Sequence, residues 1–183
     1  MYKILVLDDE PSIANAMVRV IARMPAEWLE SPCQVVPFND PLEALRSLDE
    51  SAYDVIISDL NMPVMGGLTF LRQAREFQPA AMRMVVSGQA DLPAVLAAVN
   101  ETQVFRFVPK PWNDMEFQLA VFQAMQAGKL QRENQSLADE VRVQRGLLSE
   151  KDALLRELEL ESPGITRLNL DANGAIYLDE ESA

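Results

Sequence analysis

Four short aliphatic runs in this chain each end in a polar residue of a kind that handles phosphate: ILVL leads into Asp8-Asp9, VIIS into Asp59, MVV into Ser87, and VFRFVP into Lys110. If these runs are parallel strands, their carboxyl ends lie along one edge of one sheet. Ligands of open α/β sheets sit in the crevice outside those ends. Three carboxylates, a hydroxyl and an ammonium then converge in one place, a set suited to a metal ion and a phosphoryl group.

Between the runs the apolar residues recur at helical spacing, which predicts successive βα units around a parallel sheet. Five units fit, with strands over residues 3–7, 33–38, 54–58, 82–87 and 104–108. Several strands are apolar at consecutive positions, as expected when helices cover both faces of the sheet. Pro11 and Ser12 open the first helix, whose buried stripe is expected to be Ile13, Met17, Val20 and Ile21. Asp40-Pro41 starts the second, with Leu42, Leu45 and Leu48 on its apolar side. Gly66-Gly67 precede the third, Asp91 caps the fourth, and Asn113 or Asp114 caps the fifth.

Residues 113–160 contain no proline, so the last helix is expected to run on past the sheet for roughly 70 Å. Leu130, Leu137, Gln144, Lys151 and Leu158 fall at heptad position d, and Asn134, Val141, Leu148 and Leu155 at a, an unbroken register that predicts a coiled coil. Asn134 at an a position favours a parallel dimer. Ser162-Pro163-Gly164 ends the helix, and residues 165–170 and 175–178 flank the turn Asp171-Ala172-Asn173-Gly174 of an expected β-hairpin. A lone hairpin is marginal in water and is expected to pack on another surface. The expected divisions are thus a first domain over 1–127, a coiled-coil extension over 128–161 and a hairpin tail over 162–183.

Composition removes several classes of function. The 183 residues are 49% hydrophobic, enough for a packed core, and their net charge of -12 has the wrong sign for a nucleic-acid binder. The single cysteine, Cys33, cannot form an intrachain disulfide; its apolar surroundings mark it as a core side chain in a reducing compartment. No apolar run reaches the ~20 residues of a membrane span, and acids follow ILVL where a signal peptide would stay apolar, so a cytoplasmic location is expected. Histidine is absent, which excludes Ser-His and Cys-His nucleophilic pairs and His-based zinc sites.

Phosphoryl transfer to a carboxylate needs an in-line nucleophile, a cation on the phosphoryl oxygens and donors for the rest. Asp59 is the candidate nucleophile, Asp9 directly and Asp8 through water are candidate Mg²⁺ ligands, Lys110 supplies a fixed positive charge and Ser87 a hydroxyl. On LVLDDEP, IISDLNMPVMGG, MVVSGQAD and FRFVPKPW, over about residues 1–127, the chain resembles the CheY-like receiver domain of bacterial two-component response regulators. The resemblance implies a flavodoxin-like, doubly wound five-stranded parallel sheet of order 2-1-3-4-5. It implies that Asp59 accepts a phosphoryl group from a phosphohistidine of a sensor histidine kinase or phosphotransfer protein, with Asp8, Asp9, Asp59 and the backbone carbonyl of Asn61 arranging Mg²⁺. It also implies that Ser87 and Phe107 form a switch pair and that Lys110-Pro111 is a cis peptide. Trp112 is expected to anchor the start of the last helix.

After Gly128 no helix-turn-helix pattern follows, and seven Lys/Arg face twelve Asp/Glu. FRFVPKPW resembles receivers joined to HD-GYP phosphodiesterases, a metal site that a chain without histidine cannot build. The expected role is therefore a phosphoacceptor switch, not a turnover enzyme, acting through protein contacts of its coiled coil: a homodimer, or docking on a separate effector, without nucleic acid or membrane insertion. The alternative is a phosphatase or regulatory subunit for a partner kinase or effector enzyme, with Gln131, Gln135 or Gln144 orienting water.

Overall fold

The computed structural model describes residues 1–88, 103–145 and 149–161. The strands are β1 (Tyr2–Leu7), β2 (Cys33–Phe38), β3 (Val55–Ser58), β4 (Met82–Ser87) and β5 (Arg106–Pro109). The helices are α1 (Pro11–Ala22), α2 (Pro41–Glu50), α3 (Gly67–Phe77), α4 (Asp114–Gln144) and α5 (Glu150–Glu161). All strand pairs are parallel, in the order β2-β1-β3-β4-β5, the flavodoxin-like order that the resemblance implies. The expected helix capped by Asp91 and the expected C-terminal hairpin lie outside the described residues. Among the described residues, no helix is long and apolar enough to cross a membrane.

Alternation along the strands splits the core into two layers. Ile4 and Val6 of β1, with Val55, Ile57, Met84 and Val86, pack against α1 and the first half of α4 through Met17, Ile21, Phe117, Val121 and Met125. Leu5, Leu7, Ile56 and Val85 point to the other side, where Leu48, Phe70 and Leu71 of α2 and α3 cover them. The aliphatic runs read as continuous because both faces are buried. β5 is shorter than expected and begins at Arg106, although Val104 before it is buried. Cys33 is half-buried against the first layer, and burial, with Asp54 nearby, pushes its thiol up to about 11.

Caps set the helix starts. Pro11 opens α1, the Asp40 carboxylate accepts from Leu42 N–H at 2.8 Å, and the Asn113 amide oxygen accepts from Met115 and Glu116 N–H at 3.0 and 3.2 Å. In α1 the stripe is Ala14, Met17, Val20 and Ile21, with Ile13 partly buried. In α2 it is Pro41, Ala44 and Leu48, with Leu45 partly buried, whereas Leu42, expected inside, is exposed. Trp112 packs on the first layer and stacks on Phe117, centroids 5.4 Å apart, and so anchors the start of α4.

The loop entering β3 hangs on one side chain. Gln78, just past α3, accepts from Tyr53 N–H at 2.8 Å and donates to the carbonyls of Leu48 and Ser51 at 2.8 and 2.7 Å, and it is buried. Gln78→Leu strands these three backbone groups and is expected to cost about 2 kcal/mol, seen as a lower urea midpoint with an unchanged slope.

One long expectation is corrected. The helix after Asn113 does not continue to residue 160: α4 ends at Gln144 and α5 is a separate helix lying back along it. Arg156 Nη1 reaches Asp139 Oδ1 at 3.1 Å, and Arg142 Nη1 reaches the same oxygen at 2.7 Å. In one continuous helix, positions 139 and 156 would stand about 25 Å apart. The a/d register therefore does not run through 158 as a single seam. The inward side of α4 is tied to the base of the sheet by Arg132 Nη2 to Asp54 Oδ1 at 2.7 Å and by the pair Lys129–Glu30.

Candidate functional site

The sheet ladder itself sets the site. Asp8 N–H donates to Phe38 O at 3.2 Å and Asp59 N–H to Leu7 O at 2.9 Å, so each aspartate is held one step past the end of its strand. Lys110 N–H donates to Ser87 O at 2.8 Å and fixes the lysine one step past β5. Three side chains far apart in sequence thereby meet. Lys110 Nζ donates to Asp8 Oδ2 at 2.6 Å and to Asp59 Oδ1 at 2.7 Å.

The remaining carboxylate oxygens are also engaged. Asp8 Oδ1 accepts from Glu10 N–H at 3.0 Å, and Asp59 Oδ2 accepts from Asn61 N–H at 2.6 Å. Ser87 is fully buried at the end of β4, and its hydroxyl accepts from Asn61 Nδ2 at 3.4 Å. Asp9 follows Asp8 and is exposed. Phe107 lies on β5, partly buried against the second core layer. The Lys110-Pro111 bond is cis.

Burial dominates the electrostatics. The Asp8 side chain is 1% exposed, and desolvation raises its pKa although Lys110 and the Glu10 N–H oppose the shift. Burial would lower the pKa of Lys110, but hydrogen bonds and attraction to Asp59 and Asp8 outweigh it, so the ammonium is held above its ordinary range. One cation thus serves two buried carboxylates, with a third carboxylate exposed beside them. Among the described residues no three acidic or cysteine side chains are drawn together as a ready cage for a metal. The donors are nonetheless all hard oxygens with an excess of negative charge, which suits a hard divalent cation that keeps part of its water.

Two supports escaped the sequence reading. Gly67 opens α3 directly over the backbone of Asp59: a Cβ there would stand 1.8 Å from the Asp59 carbonyl oxygen. Asn39 Nδ2 donates to Asp8 O at 2.7 Å, and its place just past β2 follows the same strand-end pattern that marks the other site residues. Of the glutamines named for the alternative role, Gln135 is engaged with Asp139 at 3.1 Å, Gln131 is exposed, and the side chain of Gln144 lies outside the described residues.

The model of the response regulator receiver domain matches residues 4–122. The chain belongs to this family. Members are phosphoacceptor switches that work with sensor kinases or phosphotransfer proteins. The receiver is 30% identical, over 150 residues, to the hydrogenase transcriptional regulatory protein HoxA of Cupriavidus necator, covering 82% of this chain and 30% of that protein. It is 29% identical over 143 residues to HoxA of Bradyrhizobium diazoefficiens, covering 78% and 28% respectively. The chain thus spans less than a third of the length of these curated relatives. Among solved structures it is similar to an uncharacterized protein from Neptuniibacter caesariensis (37% identity, TM-score 0.65, 73% of this chain and 93% of that one). It is also similar to the signal receiver domain of an HD domain-containing protein from Pseudomonas fluorescens Pf-5 (28% identity, TM-score 0.64, 72% and 92%).

Proposed function

We propose that this receiver takes a phosphoryl group on Asp59 from a phosphohistidine of a sensor histidine kinase or phosphotransfer protein and passes the signal on through protein contacts of its C-terminal helices. The observation that carries the reading is the Lys110 ammonium shared between Asp8 and Asp59 at the carboxyl edge of the sheet. A carboxylate oxygen of Asp59 attacks phosphorus, the bond from phosphorus to the imidazole nitrogen breaks, and the imidazole leaves with the electron pair. Lys110 exchanges part of its hold on Asp59 for the incoming phosphoryl oxygens, and the Ser87 hydroxyl donates to another. Phe107 is the partner of Ser87 in relaying the change to the surface.

Asp8, Asp9, Asp59 and the carbonyl of Asn61 are the residues that would hold Mg²⁺, whose charge offsets that of the phosphoryl oxygens. Asp8 and Asp59 already share the single ammonium, so a divalent cation relieves their repulsion. Mg²⁺ is expected to raise the thermal midpoint of the wild type, and Asp9→Asn to lose most of that rise. An equal rise in both proteins would remove Asp9 from the metal set.

The output reading rests on charge and on the apolar stripe of α4. A net charge of -12 opposes contact with a phosphate backbone and leaves protein surfaces, a second copy or a separate effector, as the target. The deciding experiment is intact mass after incubation with Mg²⁺ and acetyl phosphate. A phosphoryl adduct on the wild type and none on Asp59→Asn is expected; an adduct on both would move the acceptor elsewhere.

A further inference from the structure

α4 has two apolar sides, and among the described residues only one is covered. Phe117, Val121, Ala124 and Gly128 lie on the sheet, and the same stripe continues through Arg132 to Asp139, where α5 and its Arg156 take over. Half a turn away runs a second stripe: Ala127, Leu130, Asn134, Leu137 and Val141. Its large members are 58%, 59% and 44% exposed at Leu130, Leu137 and Val141. Ala127, Leu130 and Asn134 line a shallow furrow along the helix. The stripe has strict a/d spacing, with Ala127, Asn134 and Val141 at a and Leu130 and Leu137 at d.

We infer that this stripe is the seam for a second copy of the same chain, the two α4 helices running parallel and in register, with each α5 folded on the outside. The inference rests on the reading of the tail as the output element, and it identifies which face acts and which helix does not.

The flanking residues choose the partner. In a parallel pair the g positions of one helix meet the e positions of the other one heptad on. Gln126 then meets Gln131, Glu133 meets Ala138, and Glu140 meets Arg145, with no like charges opposed. An antiparallel pair brings Glu133 and Glu140 against each other and sets the Asn134 amide against a leucine. Only the parallel arrangement lets Asn134 pair with its own copy. α5 cannot join the seam while Arg156 holds Asp139, because Asp139 lies on the opposite side of α4.

Sedimentation of the full chain, with and without a beryllofluoride phosphoryl mimic, tests the seam. The wild type is expected to sediment as a dimer in at least one condition. Leu137→Glu should return it to a monomer in both, while Leu155→Glu on α5 should leave the dimer intact. Leu137 is exposed and outside the phosphorylation site, so the Leu137→Glu chain should still take the adduct on Asp59; loss of the adduct in the wild type would instead defeat the proposed function. Oxidation of a Cys33→Ser, Leu137→Cys chain should join two copies covalently, since parallel helices set the two residues side by side. The inference is overturned by a wild type that is monomeric in both conditions, by equal sensitivity to Leu155→Glu, or by a dimer that does not cross-link at residue 137. A monomer that dimerises once residues 162–183 are removed would assign the stripe to the chain's own tail, which also overturns it.

Discussion

Replacing Lys110 with methionine is expected to cost about 3 kcal/mol of folding stability at neutral pH, and progressively less as the solution is acidified. Among the described residues the ammonium is the single cation within hydrogen-bond distance of both Asp8 and Asp59, at 2.6 and 2.7 Å. Without it, two buried carboxylates confront each other. The pH dependence follows from Asp8. Its folded pKa is already above the ordinary value because of burial, and Lys110, together with the Glu10 N–H, opposes that shift. Removing Lys110 raises it further. A carboxyl with a raised folded pKa contributes stability that is fully present below its unfolded pKa and is lost as pH rises through the folded one. The variant should therefore converge on the wild type toward acid pH. The wild type carries a complementary alkaline signature: the raised pKa of Lys110 means that its contribution persists below the ordinary lysine value and is lost as pH rises through the folded value. Lys110→Met should lack that alkaline loss. Urea titrations across the pH range read both effects, and a deficit that stayed constant toward acid would show that Lys110 does not neutralise Asp8.

Gly67→Ala should be nearly as damaging, and Gly66→Ala almost silent. The two glycines are neighbours, but a Cβ on Gly67 would sit 1.8 Å from the Asp59 carbonyl oxygen, whereas one on Gly66 meets nothing closer than the Leu60 carbonyl oxygen at 3.8 Å. The obstacle is backbone, so no rotamer change relieves it. Either the start of α3 lifts or the segment carrying Asp59 moves, at about 3 kcal/mol. The backbone of Asp59 is also held by its N–H to Leu7 O at 2.9 Å and by the Ser58 hydroxyl on its carbonyl at 2.8 Å. A forced shift there displaces the carboxylate relative to Lys110. Gly67→Ala is thus expected to lower both the urea midpoint and the rate of adduct formation from acetyl phosphate, with Gly66→Ala as the matched control. Equal behaviour of the two variants would contradict the close approach of α3.

The site was legible from sequence because a parallel sheet leaves little freedom. A run such as VIIS must be buried on both faces, its carboxyl end must lie beside those of its neighbours, and the residue that follows is therefore placed. Asp8, Asp59, Ser87 and Lys110 all follow that logic. Side choice within short helices was less legible: Leu42 is more apolar than Ala44, yet the cap at Asp40 sets a phase that turns Ala44 inward. Gln78 and Gly67 were invisible as supports, since what they touch is distant backbone. The break after Gln144 was missed for a different reason. Heptad spacing reports which residues can share a stripe and says nothing about whether the helix continues, and the polar Gln144 and Lys151 at d positions mark where the stripe loses its apolar character. Asp139, at an outward heptad position, gathers Arg142 and Arg156 and holds the fold-back.

The course of α4 gives the molecule a lever. Its cap, Asn113, stands three residues from Lys110, and its 31 residues extend about 46 Å, more than twice the length of any strand beneath it. Near the middle, Gly128 lets the helix lie against Met82, and Arg132 grips Asp54 at the far edge of the sheet. A tilt about that contact would carry the half that projects beyond the sheet in the opposite sense, so a small turn at the Lys110 end would displace Leu137 and Val141.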